Sequence, residues 1–159
     1  MAIEIERKYL VKHDVWRADP AQGKRYRQGY LSTDADRVVR VRTVGDQGFL
    51  TIKGATTGIE RLEFEYPIPV ADADAMLDRL CARPLIEKTR YRVPFEGRVW
   101  EVDVFEGENA GLIIAEVELP AVGAVVALPP WAGAEVSADP RYYNSNLTRH
   151  PYARWRDAG

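Results

Sequence analysis

Charged residues occupy every second position in seven segments of this sequence, and this alternation constrains the fold more than any other feature. Side chains alternate between the two faces of a β-strand, so residues at positions i and i+2 lie on the same face. In the first segment Glu4, Glu6 and Lys8 share one face, and in the last segment Glu116 and Glu118 do so. The pattern predicts strands that each have one charged face and one mainly apolar face.

The charged faces of these strands carry similar numbers of acidic and basic side chains. They are Glu4, Glu6, Glu63, Glu65, Glu101, Asp103, Glu116 and Glu118, with Lys8, Arg40, Arg42, Lys53, Arg61, Lys88, Arg90 and Arg92. Like charges two residues apart on a strand are about 6.6 Å from each other and repel by on the order of 2–3 kcal/mol at an effective dielectric constant near 20. A divalent cation would relieve this repulsion between carboxylates, and phosphate oxygens would relieve it between basic groups.

Each strand taken alone is also consistent with an ordinary antiparallel sheet, whose apolar face covers a core while its charged face meets water. The set departs from that pattern, because its charged positions are almost all Arg, Lys, Glu or Asp, without the usual admixture of Ser, Thr and Gln. The composition of this face therefore favours a functional surface over a merely solvated one.

The whole chain contains eight segments with strand character, and eight strands are enough to close a barrel with a narrow interior. The predicted strands are 2–11, 24–32, 37–45, 47–54, 59–68, 84–95, 98–106 and 111–119. We predict a helix over 72–82, capped by Asp72 and stopped by Pro84, and shorter helices over 120–128, 13–18 and 140–148. The expected fold is α+β: a single domain over residues 1–159, with a closed eight-stranded antiparallel β-barrel and a few peripheral helices.

If the charged faces point inward, acids and bases line a polar tunnel. Such a tunnel suits an elongated polyanion that carries a metal ion. Ligands that offer only oxygen, without His or Cys, favour Mg²⁺ or Mn²⁺ over zinc.

The composition argues against several classes of protein. A single cysteine, Cys81, and two histidines give no basis for a disulfide framework or a zinc site, and we expect Cys81 to be a small buried apolar residue. The balance of 22 basic and 24 acidic residues argues against a broad nucleic-acid-binding face. The first residues lack the features of a signal peptide and no apolar run is long enough to span a membrane, so we expect a cytoplasmic protein.

The charged segments, in their order along the chain, resemble the CYTH superfamily, the triphosphate tunnel metalloenzymes. The resemblance covers about residues 2–148 and begins with Glu4-Ile5-Glu6-Arg7-Lys8, which matches the ExExK signature. The later matches are Arg40-Val41-Arg42, Thr51-Ile52-Lys53, Arg61–Glu65, Glu87–Tyr91, Glu101–Phe105, Glu116–Leu119 and Arg141–Asn144. ExExK alone is a weak pattern, whereas the seven strand motifs in the same order, with Arg141–Asn144 after them, are a specific one.

The resemblance implies a role for most of these side chains. Glu4, Glu6, Glu116 and Glu118 would hold the principal metal ion, while Glu63, Glu65 and Asp103 would serve a second ion or orient basic side chains. The phosphates would be bound by Lys8, Arg40, Arg42, Lys53, Lys88 and Arg90. Lys8 with Tyr30 would act as the catalytic base, the alternative being activation of water by the metal without Lys8. Arg61 and Arg92 are left between binding and structural roles.

The family includes inorganic triphosphatases, thiamine triphosphatases, RNA 5'-triphosphatases and class IV adenylyl cyclases, and this chain is most similar to its small bacterial members. We therefore expect divalent-metal-dependent hydrolysis of inorganic triphosphate to pyrophosphate and phosphate. The alternatives are a class IV-type adenylyl cyclase, a thiamine triphosphatase, or a non-catalytic module that binds polyphosphate or nucleotides. The expected partner is a small polyanion, tripolyphosphate or a nucleoside triphosphate, without nucleic acid or membrane. A homodimer through the outer face of the barrel is left open.

Overall fold

The computed structural model describes residues 3–14, 16 and 23–155, and within these ranges it contains nine antiparallel strands. The strands are β1 Ile3–Val11, β2 Lys24–Asp34, β3 Arg37–Val44, β4 Gln47–Lys53, β5 Glu60–Ile68, β6 Ile86–Phe95, β7 Arg98–Phe105, β8 Ile113–Glu118 and β9 Ala132–Glu135. Eight of them coincide with the predicted strands to within a few residues. The short β9 was not predicted, because four residues are too few to establish an alternating pattern.

Pairing between the first and fifth strands closes the barrel. The order of neighbours is β5-β4-β3-β2-β6-β7-β8-β1, and the first half of β1, Ile3–Ile5, pairs with β5 to complete the ring. The rest of β1 pairs with β8 along one edge. Along the other edge, beyond the residues that pair with β5, the end of β1 pairs with β9. The closed eight-stranded antiparallel barrel is confirmed.

A two-residue hairpin turn at Glu96-Gly97 connects β6 to β7. Both residues have positive φ angles, 50° at Glu96 and 77° at Gly97. Turns of this kind match the right-handed twist of the adjoining strands, and glycine adopts such angles without steric cost. This turn sets the register that places Arg90 opposite Asp103.

The helices differ more from the prediction than the strands do. Helix α1 spans Val70–Arg79; it begins two residues before the predicted start, and its N-cap is Pro69, so the capping role given to Asp72 was wrong. The predicted helix over 140–148 is divided into a 3-10 helix, Pro140–Tyr142, and α2, Asn144–Arg149. No helix in the described ranges is long and apolar enough to cross a membrane.

The segment 120–128 is not a helix, which corrects a further prediction. It forms bends, a turn and irregular chain outside the barrel, and Val125 is 86% exposed. Together with Trp131 it packs against the outer faces of β1, β7 and β8, where Trp100 is fully buried. The predicted helix over 13–18 falls partly on residues outside the described ranges.

Inward positions of the barrel change from charged to apolar towards one end. Tyr30, Ile86, Phe105 and Ile114 share the parity of the charged positions and form one cluster with residues of the C-terminal segment. Leu147 of α2 packs into this cluster and is fully buried. The C-terminal segment therefore covers this end of the barrel and leaves the charged part of the interior as a cavity.

Candidate active site

The interior of the barrel contains a cavity of about 250 Å³ lined mainly by charged side chains. Fourteen of the sixteen residues predicted to share a charged face line it. They are Glu4, Glu6, Glu63, Glu65, Glu101, Glu116, Glu118, Lys8, Arg40, Arg42, Lys53, Arg61, Lys88 and Arg90. The two others lie elsewhere: Asp103 is fully buried beneath the lining, and Arg92 is exposed on β6 outside it.

Basic residues are concentrated on one side of the cavity. Arg40 and Arg42 come from β3, and Lys88 and Arg90 come from β6. Strand β2 separates these two strands and contributes no charge to the lining. This side is the basic wall.

Arg42 is the member of the basic wall whose charge is least compensated. Its Nε donates to Gln28 Oε1 at 2.9 Å, and its guanidinium stacks 4.8 Å from the Tyr26 ring centroid. Within the part of the chain that the structure describes, it forms no ion pair. Burial, with the positive charges of Arg40 and Arg90 nearby, lowers the pKa of Arg42 to about 9. A cation whose pKa is lowered by burial and by other cations is a strong binding site for an anion.

Lys88 and Arg90 are both bound by Asp103, which is buried behind the cavity lining. Lys88 Nζ lies 2.7 Å from Asp103 Oδ2, and Arg90 grips the same carboxylate with Nε and Nη2 at 2.7 and 2.9 Å. Burial lowers the pKa of Lys88 to about 7. Burial alone would raise the pKa of Asp103, but Arg90 and Lys88 outweigh it and lower that pKa. Asp103 therefore stays ionised and fixes two bases at the cavity wall.

Carboxylates are concentrated on the opposite side, on β1 and β8, which we call the acidic wall: Glu4, Glu6, Glu116 and Glu118. Glu6 stands directly across from Glu118 in the strand register. Burial, with the charges of Glu116 and Glu4, raises the pKa of Glu6 well above its usual value. The pKa of Glu118 is also raised, by burial and by Glu4, Glu101 and Glu116. This side of the cavity thus carries more negative charge than its neighbours neutralise.

Lys8 lies within the acidic wall, opposite Glu116 in the register. Its Nζ is 3.9 Å from Glu6 Oε1 and 3.9 Å from Glu116 Oε1, so neither contact is a hydrogen bond. Burial favours the neutral amine, but the surrounding carboxylates outweigh it and raise the pKa of Lys8. Lys8 is therefore a protonated, loosely held cation.

Pairs of opposite charge join the two walls on the β4–β5 side. Lys53 Nζ is 3.2 Å from Glu4 Oε1 and 3.2 Å from Glu63 Oε2. Arg40 Nη2 contacts Glu65 Oε2 at 3.3 Å, and Thr51 also donates to that oxygen. Glu63 and Glu65 thus each form an ion pair with a basic side chain in this structure.

A model of the CYTH domain family matches residues 2–151. The chain belongs to the CYTH family. An inorganic triphosphatase of Acetivibrio thermocellus is 53% identical to it over 157 residues, which cover 99% of this chain and 100% of that protein. An inorganic triphosphatase of Nitrosomonas europaea is 38% identical over 149 residues, covering 91% and 95%. A solved structure of an inorganic triphosphatase has 35% identity and a TM-score of 0.67, with 93% of this chain and 95% of that one covered.

Membership of the CYTH family, with triphosphatases as relatives, implies a requirement for a divalent metal ion. The acidic wall fits such an ion chemically, because its donors are all oxygen and its like charges are crowded enough to raise the pKa of Glu6. Across the described ranges, no three His, Cys, Asp or Glu side chains converge on one point. Several of these carboxylates instead form ion pairs with Lys or Arg side chains of the cavity. A bound metal ion would displace those side chains.

The two residues predicted to form the catalytic base, Lys8 and Tyr30, lie near each other in this CYTH-family chain. Lys8 and Tyr30 both line the cavity, but no hydrogen bond connects them in the described part of the structure. The Tyr30 hydroxyl accepts from Gln28 Nε2 at 3.4 Å.

The described tryptophans lie outside the cavity. Trp16 and Trp131 are buried in the outer core with Trp100, and Trp155 makes an edge-to-face contact with Tyr142. Tyr30 and Tyr143 are the aromatic residues of the cavity lining that the structure describes. Cys81 is buried against α1 and β3, as predicted.

The uncharged residues of the CYTH site were missed, because the prediction followed charge. Thr56 and a C-terminal group, Ser137, Tyr143, Asn144 and Ser145, line the cavity, and Gln28 and Thr51 form hydrogen bonds with its charged side chains. Gln28 shares the parity of Tyr26 and Tyr30, which is a signal that could have placed it inside the barrel. The C-terminal group reaches the cavity only through tertiary packing.

Proposed function

We propose that this chain hydrolyses inorganic triphosphate to pyrophosphate and orthophosphate inside the barrel. The single observation that carries the proposal is the position of Arg42, a buried guanidinium without an ion pair among the described residues, beside Arg40 and Arg90. Two relatives that span nearly the whole chain are inorganic triphosphatases, which supports the same reaction.

The size of the cavity favours an inorganic substrate over a nucleotide. Its volume of about 250 Å³ lies below the roughly 300–1,000 Å³ typical of sites for drug-sized organic ligands. Neither of its described aromatic residues, Tyr30 and Tyr143, belongs to a stacked aromatic platform for a base or a thiazole ring. A chain of three phosphates needs only charge and donors, and the basic wall provides both.

Most of the basic residues would bind the phosphate chain from the basic wall, and Lys53 and Lys8 would reach it from the β4–β5 side and from the acidic wall. Arg42 and Arg90 present planar guanidinium groups that can form paired hydrogen bonds to phosphate oxygens. Arg40, Lys53, Lys88 and Lys8 complete the set, and those now paired with carboxylates would exchange part of these contacts for phosphate. Neutralising the charge that spreads over the phosphate oxygens, with substrate and water in line, would supply most of the rate.

Glu4, Glu6, Glu116 and Glu118 would hold the metal ion, which we propose to be Mg²⁺ or Mn²⁺. Bound there, the ion would supply Lewis-acid stabilisation of phosphate oxygens. For Glu63, Glu65 and Asp103 the contacts with Lys53, Arg40 and Arg90 favour the second of their two predicted roles, the orientation of basic side chains.

We keep Lys8 and Tyr30 as the residues proposed to manage the proton of the attacking water. Lys8 must first lose its own proton to act as a base, and the carboxylates around it oppose that loss. Binding of a cation by the same carboxylates would reduce this opposition. The Tyr30 hydroxyl, held by Gln28, would orient the water or the leaving oxygen.

The proposal is tested by phosphate release from tripolyphosphate, pyrophosphate, ATP and thiamine triphosphate, with Mg²⁺, Mn²⁺ or EDTA. Arg42→Met should raise KM for tripolyphosphate by at least roughly tenfold, the cost of losing a charge-assisted contact. Arg92→Met is the matched control, because it makes the same chemical change at an exposed position outside the cavity.

Metal-dependent turnover of tripolyphosphate that is weakened by Arg42→Met and not by Arg92→Met would support the proposal. No phosphate release from any substrate by folded protein would refute it. Cyclic AMP in the ATP samples would indicate the cyclase instead, and tight binding without turnover would indicate a binding module.

A homodimer stays a prediction. Helix α1 covers Val41 of β3, but the outer face of β5 is uncovered, with Leu62 43%, Phe64 39% and Tyr66 54% exposed. Sedimentation velocity of the wild type and of Phe64→Lys tests it: a dimer that uses this face should dissociate in the variant. Monomeric wild type at all concentrations would exclude it.

A further inference from the structure

Strand β2 forms a neutral strip inside the basic wall. Its inward residues, Tyr26, Gln28 and Tyr30, stand between Arg40 and Arg42 of β3 and Lys88 and Arg90 of β6. The Tyr26 ring lies 4.8 Å from the Arg42 guanidinium and 5.2 Å from that of Arg90. The two guanidinium groups thus both contact one aromatic ring, and no inward residue of β2 places a carboxylate between them.

Gln28 forms hydrogen bonds with three other residues of the site. It is fully buried, and its Oε1 accepts from Arg42 Nε at 2.9 Å. Its Nε2 donates to Asn144 Oδ1 at 3.2 Å and to the Tyr30 hydroxyl at 3.4 Å. Asn144 Oδ1 also accepts from Lys88 Nζ at 3.3 Å. The Gln28 amide therefore binds the Arg42 guanidinium through its oxygen. Through its nitrogen it binds Asn144, which in turn binds the Lys88 ammonium group.

A neutral acceptor at this position has a specific consequence. Because Gln28 takes only the Nε hydrogen of Arg42, the two terminal amino groups of Arg42 have no protein partner within the described residues. A carboxylate in the same place would orient the guanidinium equally well, but it would also cancel the charge that a phosphate needs. An apolar side chain would leave the charge but release its orientation.

We infer that Gln28 is a positioning residue for phosphate binding, which orients Arg42 directly and Lys88 through Asn144 without neutralising either. This inference rests on the proposed function, since it concerns the same cavity and the same anion. Strand β2 thus has a different role from the acidic and basic walls. It keeps the cations apart and orients them towards the substrate.

The test compares Gln28→Met, Gln28→Glu and Gln47→Met. The first removes the amide, the second keeps its shape but adds charge, and the third makes the Met change at an exposed position. Affinity for inorganic tripolyphosphate is measured by titration calorimetry in EDTA, and KM and kcat are measured with Mg²⁺. Loss of one hydrogen bond to a charged group predicts roughly ten- to hundredfold weaker binding in Gln28→Met. Gln28→Glu keeps an acceptor for Arg42 Nε but neutralises the guanidinium, and should weaken binding by a similar factor. Gln47→Met should bind as the wild type does.

A double-variant comparison separates positioning from a general structural effect. If Gln28 acts mainly through Arg42, then Gln28→Met should change affinity by no more than about threefold once Arg42→Met is present. KM should rise while kcat changes much less, and circular dichroism should show the same fold. A loss of binding that simply adds to that of Arg42→Met would overturn the inference.

The outcomes distinguish an error in the role of Gln28 from an error in the proposed function. If wild-type protein binds tripolyphosphate and Gln28→Met and Gln28→Glu bind it within about twofold of wild type, the role of Gln28 is wrong and the proposed function stands. If folded wild type neither binds nor hydrolyses tripolyphosphate, the proposed function fails and the role of Gln28 fails with it.

Discussion

Lys88 and Asp103 form an ion pair that is almost completely removed from solvent. Their charged atoms are 2.7 Å apart, and their side chains are 1% and 0% exposed. The same carboxylate binds Arg90 through two nitrogens. The basic wall therefore depends on one acidic residue that does not itself line the cavity.

Replacement of Asp103 should destabilise the protein far more than replacement of a surface partner. Asp103→Asn leaves Lys88 and Arg90 without their shared carboxylate, and breaking a buried pair costs about 3–5 kcal/mol. Asp139→Asn is the matched control, because Asp139 pairs with Arg141 at the same 2.7 Å distance on the surface. Its loss should cost less than about 1 kcal/mol. Urea denaturation measures both, and equal effects would contradict this account.

Glu118→Gln should have opposite effects on metal binding and on stability. In the described ranges Glu118 forms no ion pair, while Glu4, Glu101 and Glu116 raise its pKa. Removing its charge should weaken Mn²⁺ binding, measured by calorimetry, by roughly tenfold. Without metal, the free energy of unfolding should be unchanged or higher by a few tenths of a kcal/mol, since solvent screens the repulsion. Glu135→Gln, on the outside beside Arg7, should leave Mn²⁺ binding intact.

Gly29→Ala should disturb the packing behind β2. A Cβ there would lie 2.8 Å from the Cys81 Cβ and 2.8 Å from Leu85 Cδ2, closer than real contacts allow. Overpacking of this kind costs about 1–3 kcal/mol. At Gly123 a Cβ would meet nothing within 4 Å, so Gly123→Ala should be neutral or slightly stabilising. Thermal unfolding of the two variants, followed by circular dichroism, checks the difference.

Leu147→Ala should loosen the closed end of the barrel. Leu147 is fully buried among Tyr30, Ile86 and Phe105, and truncation of a buried leucine costs about 2–5 kcal/mol. Val125→Ala removes an apolar side chain that is 86% exposed, and should change stability by less than about 0.5 kcal/mol. Denaturant midpoints measure both. A stable Leu147→Ala protein would mean that α2 is not part of the barrel core.

The β-sheet and most of the charged site were predictable, because both depend on a local pattern. Alternation along a strand decides which side chains share a face, and a one-residue error would have moved all of them to the other face. For this reason Glu4, Glu6 and Lys8 were assigned together, and Arg40 with Arg42. The same rule failed at Arg92: its side chain is exposed and does not line the cavity, although its partner in the register, Glu101, does.

Long-range packing explains the errors. Residues 120–128 contain enough apolar residues for a helix, yet they form bends, a turn and irregular chain. With Trp131 they cover an outer face of the barrel, and the need for that cover is not visible in the local sequence. Which inward carboxylates line the cavity also depended on the fold. Glu116 and Asp103 both point inward on adjacent strands, but only Asp103 is sealed beneath Arg90.

By itself, the sequence determined the eight strands of the barrel, the faces that carry charge on seven of them, and hence an interior able to hold a phosphate chain and a cation. These follow from the two-residue period of the backbone, which each segment expresses alone. Only the tertiary structure decided that acids and bases occupy opposite walls, that Arg42 is left without an ion pair in the described chain, and that Gln28 and Asn144 connect the bases. Those relations join residues up to 116 positions apart, whose distance is set by barrel closure and not by any local pattern.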